Sequence, residues 1–221
     1  MSLPLIENAR RILVLWCAII LLLLALTESL NFGLRTYARE RRESDYRTYL
    51  AAGTDLMNRY DYSGALAQVE EAKRRQPQAP EPYALAGHVR YQLKHWSQAI
   101  TEYQEAISRG SREEGVFLNV VWALIELKRY EEATALGIKA LNAGFSMPAL
   151  PRYIAEAYFR NGKMTEAIPY YQMAFNGYPN DLYLLDHLRQ SYRAAGQLDK
   201  AKEMQTRIAD IEASLNAPRN P

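Results

Sequence analysis

Residues 80–113 read PEPYALAGHVRYQLKHWSQAITEYQEAISRGSRE. This stretch decides the fold, because its small and aromatic residues return at steps of 34 in both directions. Ala99 belongs to the series Ala65, Ala99, Ala133, Ala167 and Ala201, which runs without drift. Ala106 belongs to a second series, Ala72, Ala106, Ala140, Ala174 and then Ile208. Trp96 is matched by Tyr62, Tyr130, Met164 and Leu198, and Gly87 by Gly53, Val121, Ala155 and Arg189. A period of this length marks an array of stacked helical pairs, none of which buries its apolar face alone.

Packing physics accounts for the pattern. Two antiparallel helices approach closely only where small residues stand at the crossing, which places Gly53 against Ala65 and Gly87 against Ala99. Large residues at Tyr49, Tyr83 and Phe117 fill the space between one unit and the next. Pro77 and Pro179 stand at equivalent unit ends, where a helix must stop. Asn161-Gly162 and Ala195-Gly196 mark turns inside units.

The array resembles the tetratricopeptide repeat (TPR) family. The first unit supplies Tyr49, Ala52, Gly53, Ala65, Ala72 and Pro77, and the second Tyr83, Ala86, Gly87, Ala99, Tyr103 and Ala106. The third keeps Phe117, Ala133 and Ala140 but has Val121 in place of glycine. The fourth keeps Tyr158, Gly162, Ala167, Tyr171, Ala174 and Pro179. The fifth keeps Tyr192, Gly196 and Ala201, and its Arg189, Gln205 and Ile208 suit a terminal cap. The expected fold is therefore all-α: an N-terminal transmembrane helix followed by a right-handed α-solenoid of five helix-turn-helix repeats. The expected divisions are a tail at 1–11, an anchor at 12–34, a charged connector at 35–45, the solenoid at 46–214 and a flexible tail at 215–221. The units fall at 46–79, 80–113, 114–147, 148–181 and 182–214.

The resemblance implies a concave face lined by the first helix of each unit. Carried over residue by residue, the partner-binding groove comprises Met57, His88, Tyr91, Leu118, Trp122, Ile125, Arg152 and Phe159. Aromatic residues in a concavity are good anchors for a protein segment. Some family members grip a chaperone's C-terminal carboxylate with a lysine and asparagine clamp. Here Leu50, Thr54, Leu118 and Trp122 occupy those positions, Asn119 and Arg152 are isolated matches, and that specificity is not expected.

The anchor rests on Ile12 to Leu26, ILVLWCAIILLLLAL, which carries no charge. Fifteen residues make roughly 22 Å of helix, and continuation to Leu34 makes roughly 34 Å, enough for a hydrocarbon core of about 30 Å. A cleaved secretory signal is the competing reading, but Thr27-Glu28-Ser29 is a poor small-residue cleavage site. Cys17 reads as an apolar filler in the span. Arg10 and Arg11 abut the run and argue for an inner N-terminus, with the solenoid in the periplasm of a bacterial inner membrane. Arg35, Arg39, Arg41, Arg42 and Arg47 argue for the reverse orientation by plain count. Residues 35–48, RTYARERRESDYRT, read as a solvated helical connector. A polybasic contact with lipid headgroups is the sharper alternative, weakened by Glu40, Glu43 and Asp45.

Composition bounds the rest. The 221 residues carry 27 basic and 25 acidic side chains, a net charge of +2 that gives nucleic acid little to hold. With 48% hydrophobic residues the chain can bury a core. One cysteine excludes an internal disulfide and a cysteine-based zinc site. No phosphate-binding glycine loop, nucleophile elbow or zinc-protease motif occurs. Glu113-Glu114 and Glu131-Glu132 suit helix starts. The expectation is thus a non-enzyme with no cofactor, metal, nucleic acid or small-molecule substrate. It would be a membrane-anchored scaffold that recruits or stabilises a protein partner, itself a membrane protein or a segment of one, in assembly of a membrane complex or beside an export channel. The bilayer would be met through residues 12–34. The alternative is an integral accessory subunit whose span packs within a larger complex, with the solenoid as an external brace. Glu28 would then be buried against a polar group of that complex.

Overall fold

The computed structural model describes residues 3–145 and 147–216, without the side chains of 3–15 and 17–19. Ten helices follow in order: α1 Leu3–Asn58, α2 Tyr62–Arg75, α3 Glu81–Gln92, α4 Trp96–Ser108, α5 Glu114–Glu126, α6 Tyr130–Asn142, α7 Ala149–Arg160, α8 Met164–Phe175, α9 Leu182–Ala194 and α10 Leu198–Asn216. Among the described residues there is no strand. The helices pair as α1–α2, α3–α4, α5–α6, α7–α8 and α9–α10, the five units expected.

The alanine series does the work that its spacing implied. Ala65, Ala99, Ala133 and Ala167 are wholly buried, and Ala72, Ala106, Ala140 and Ala174 nearly so. Each sits where two helices cross, so a larger side chain would force the backbones apart. Gly87 shows how tight the crossing is: a Cβ there would stand 2.5 Å from the Tyr103 ring. Unit three reverses the sizes at the same two positions, with Val121 for the glycine and Gly137 for the tyrosine. That exchange accounts for Val121 in unit three, whereas unit four carries Ala155 opposite Tyr171.

The turns inside units repeat as regularly as the helices. Tyr60, Lys94, Lys128, Gly162 and Gly196, again 34 apart, all take the left-handed backbone conformation, with φ between 58° and 77°. Glycine tolerates it, whereas Tyr60 and the two lysines hold it at a steric cost. Glu113 stands at the N-cap position of α5 without a side-chain capping bond, Glu114 lies in the first turn of α5, and Glu131 and Glu132 lie in the first turn of α6, where negative charge suits the helix dipole. Pro169 suggests an irregular start to α8, a helix expected to begin near Met164 or Thr165 with Thr165 as its cap. The helix begins at Met164, with Lys163 at the N-cap position and no side-chain cap, and runs through Pro169 to Phe175. The amide that proline lacks would bond the Thr165 carbonyl, close to the helix start, so only one early bond is lost.

Curvature follows from which helices meet. The backbones of successive first helices approach closely in every neighbouring pair (α1–α3, α3–α5, α5–α7, α7–α9), whereas among the described residues those of the second helices do not, and α2 reaches α4 through the long side chains of Lys73 and Glu102 at 2.9 Å. The first helices are therefore crowded on the inner, concave side, and the second helices are spread on the outer side.

Helix α1 spans 56 residues, roughly 84 Å, without a break at residue 34 or at residue 45. From Leu3 on, the expected tail, anchor, connector and first helix of unit one are one continuous helix. Along its described part, Tyr46 is the first buried side chain, and its hydroxyl donates to Glu81 at 3.0 Å. Before it, Trp16, Ile20 to Leu24, Leu26, Leu30, Phe32 and Leu34 are exposed. Among the described residues no helix is long and apolar enough to cross a membrane. Residues 12–15 and 17–19 of the expected span, Cys17 included, have side chains outside that description, as do residues 217–221 of the expected tail. Residues 215 and 216 of that tail end α10.

Candidate functional site

On the concave side, three side-chain pairs line up along the axis of the solenoid, each joining a first helix to the next first helix. They are His88 with Asn119, Trp122 with Tyr153, and Glu156 with His187, all related by steps of 34. What lies behind each pair decides its character. In unit two, the buried Tyr103 reaches through from α4. Its hydroxyl lies 2.9 Å from His88 Nδ1 and accepts from Asn119 Nδ2 at 3.1 Å. His88 Nε2 stands 3.1 Å from Glu113 Oε1, which fits the tautomer with its proton on Nε2. Burial pushes the Tyr103 phenol well above its usual range.

Unit four repeats the device with a charge. Tyr171, from α8, donates to Glu156 Oε2 at 3.2 Å and lies 3.3 Å from His187 Nδ1. Glu156 is 3% exposed and also accepts from Tyr183 at 2.8 Å and from Arg160 Nε at 2.6 Å. Burial alone raises its pKa, but hydrogen bonds from His187, Tyr183 and Arg160 outweigh it and hold the carboxyl down at about 2. Burial, and then the Glu156 charge beside it, push the Tyr171 phenol far up.

Unit three lies between these polar pairs. Gly137 takes the place of the tyrosine, and the concave pair becomes aromatic: the Trp122 and Tyr153 rings are 4.9 Å apart at 45°. Beside them opens a cleft of about 380 Å³ lined by Trp122, Arg152, Tyr153, Glu156 and Tyr183. Arg152 is held by Asp181 at 2.8 Å and lies over the Tyr183 ring at 5.6 Å. Arg160 bridges Glu156 and Glu126 and lies 5.5 Å from the Trp122 ring. The cleft thus has an apolar floor, a rim arginine already paired, and a buried carboxylate whose oxygens are taken by donors. Such a surface suits an apolar side chain carried on a polar backbone.

Of the eight residues expected to line the groove, Trp122 and Arg152 line this cleft. His88 belongs to the polar pair one unit away. Met57 is half-buried against Val69, Leu85 and Ala86, and Leu118 is half-buried against the central core. Tyr91 packs edge-on against Trp96 at 5.1 Å, and burial pushes its phenol up to about 12. Phe159 packs on His187 at 4.1 Å, between units four and five. Ile125 is corrected outright: at 1% exposure it is core and cannot meet a partner. Its helix turns that position toward the neighbouring α-helices, which leaves no room for a ligand.

Tyr153 and Tyr183 were not among the expected groove residues. Glu156 stands where Trp122 stands one unit earlier, so its position was readable from the repeat. Tyr153 and Tyr183 occupy first-helix positions that the carry-over left out.

No curated protein matches the chain in sequence at a significant level. Among solved structures, MamA from Desulfovibrio magneticus RS-1 superposes with a TM-score of 0.70 at 18% identity, covering 78% of this chain and 98% of that one. YrrB, described as a TPR protein with an unusual peptide-binding site, gives 0.69 at 19% identity, covering 80% and 91%. PilF of Pseudomonas aeruginosa gives 0.61 at 18%, covering 81% and 79%. At these identities the likeness is one of fold. The family model for the tetratricopeptide repeat matches residues 21–213, nearly the whole array and the helix leading into it. Matched over most of its length and built of five stacked helical pairs, the chain belongs to the tetratricopeptide repeat family.

Proposed function

We propose that this protein is a membrane-held, non-catalytic scaffold that grips a segment of a protein partner in the cleft between α5, α7 and α9. The observation that carries the reading is the Trp122–Tyr153 pair beside a concave cleft of about 380 Å³, with polar pairs on either side. Members of the family bind protein partners, and YrrB carries a peptide-binding site. An apolar side chain of the partner would seat on Trp122 and Tyr153, while its backbone meets Arg152 and Tyr183. The membrane part of the proposal draws on the unbroken apolar run Ile12–Leu26 and on the exposed Trp16, Ile20, Leu30, Phe32 and Leu34 of α1. Apolar side chains exposed on every side of a helix favour a lipid environment over water. Arg10 and Arg11, directly against the run, favour an inner N-terminus and a solenoid in the periplasm of a bacterial inner membrane.

The test uses the full chain in mild detergent. Trp122→Ala with Tyr153→Ala is expected to weaken partner binding by roughly 30-fold or more, as loss of a 2 kcal/mol anchor does. Lys139→Ala, exposed on α6, should bind as the wild type does. A photo-reactive residue at Tyr183 should cross-link the same partner, and one at Ala135 on α6 should not. A double variant that keeps its helical content and its partner would move the site away from the cleft. Protease added to spheroplasts should digest the solenoid, and protection would reverse the orientation.

A further inference from the structure

We propose that the notch between α1 and the C-terminal end of α2 binds the phosphate headgroup of an anionic lipid, fixing the height of the solenoid over the bilayer. The inference rests on the reading of the N-terminal half of α1 as a membrane anchor. Arg35, Arg39 and Arg42 are spaced by four and three residues and so share one face of α1. The antiparallel α2 ends beside that face and brings Arg74 and Arg75 to it. Two hollows result. One, of about 620 Å³, is lined by Arg35, Arg39, Arg42, Arg75 and Gln76, together with Ala38 and Glu43. The other, of about 400 Å³, shares Arg42 and Arg75 and adds Arg41, Arg74 and Tyr37, with Asp45 at its edge.

Most of the carboxylates that weakened this reading in the sequence are already engaged. Glu43 accepts from Arg47 at 2.8 Å and from Gln76. Asp45 pairs with Arg75 at 3.7 Å, and Glu71 pairs with Arg74 and Arg75. Among the described residues no carboxylate lies within 4 Å of Arg35, Arg39, Arg41 or Arg42, and of Glu40, Glu43 and Asp45 it is Glu40 that makes no pairing of its own. The helix dipole accounts for Arg74 and Arg75 at the end of α2. It does not account for four arginines in the middle of α1. A guanidinium fork presents paired donors that match phosphate oxygens.

Position along the helix selects a lipid over free phosphate. Arg35 directly follows Leu34, and Arg39 and Arg42 stand roughly 6 and 10 Å further along the axis. The headgroup layer on each side of a bilayer is about 5–7 Å thick. Arg35 would therefore lie within it, Arg39 at its outer edge and Arg42 roughly 3–5 Å beyond, where its long side chain can still reach back to the phosphate. The exposed Phe32, three residues before Arg35, continues the basic face downward beside the glycerol and the start of an acyl chain. An amphiphile matches both parts of this surface, and a free anion matches only one.

The experiment is native mass spectrometry of the full chain in neutral detergent, with equimolar phosphatidylglycerol and phosphatidylcholine. Phosphatidylglycerol adducts should dominate by about tenfold or more. Arg35→Gln with Arg39→Gln and Arg42→Gln should abolish that preference, and Arg59→Gln should preserve it. All four positions are exposed, and unchanged circular dichroism will show that the variants fold. Equal adducts of the two lipids, or a triple variant that keeps the preference, would overturn the proposal. So would displacement of the lipid by millimolar inorganic phosphate, which would identify a site for a free anion. Flotation with vesicles of phosphatidylcholine alone, after a high-salt wash, reads the anchor separately. Failure to float overturns the anchor, and an absent headgroup preference in a chain that floats overturns only the notch.

Discussion

Glu156 is the residue on which the cleft depends. Its depressed pKa is a stability statement with a definite sign. A carboxyl held at about 2 when folded and near 4.5 when unfolded stabilises the fold fully above pH 4.5. That contribution, about 3 kcal/mol for a shift of this size, is lost as the pH falls through 2. Glu156→Gln should therefore be destabilised by roughly that amount at pH 7, and should approach the wild type in urea unfolding near pH 2. A gap that stays constant with pH would show that the carboxylate is not what its partners stabilise. Trp122 was legible in the sequence because a large aromatic residue stood where the repeat predicts the concave face. Its companion Tyr153 was not, because the equivalent residues Leu85, Asn119 and His187 share no chemistry that marks a surface. Ile125 misled for the opposite reason: an aliphatic residue suits groove and core alike, and only the neighbouring helices decide between them.

Among the helices, α9 is tied to the cleft through its own cap. Asp181 accepts from the Leu184 amide at 3.1 Å and also holds Arg152 at 2.8 Å. One carboxylate thus starts the helix and orients the arginine on the rim. Asp181→Asn keeps the cap and releases Arg152, whereas Asp181→Ala loses both. The alanine variant should be about 1 kcal/mol less stable than the asparagine variant in thermal melts, the usual worth of such a cap. Both should weaken partner binding alike. Helix existence and pairing were legible because the small residues at the crossings recur without drift. The turns were only half legible: Gly162 and Gly196 announce a left-handed residue, but Tyr60, Lys94 and Lys128 adopt the same conformation without a residue type that signals it. The start of α8 near Met164 was legible, but the irregularity expected from Pro169 is absent, because a single bond lost so near the helix start does not break the helix.

For the molecule as a whole, each unit touches only its neighbours, so the curved array follows once the unit and its spacing are known. The period of 34 was in the sequence, and with it the architecture. The course of α1 was not, because the sequence breaks there into apolar, charged and repeat-like segments, and composition does not show that one backbone helix runs through all three. That continuity makes α1 a drive shaft. If its lower half is held in lipid, the azimuth of the cleft is set by residue count, at about 100° and 1.5 Å per residue. One alanine inserted after Arg35 should swing the cleft away from a partner fixed in the membrane. Seven should bring it back to within about 20° of its first bearing, though roughly 10 Å higher. Capture of such a partner, plotted against insert length, should rise and fall with the phase of the helix.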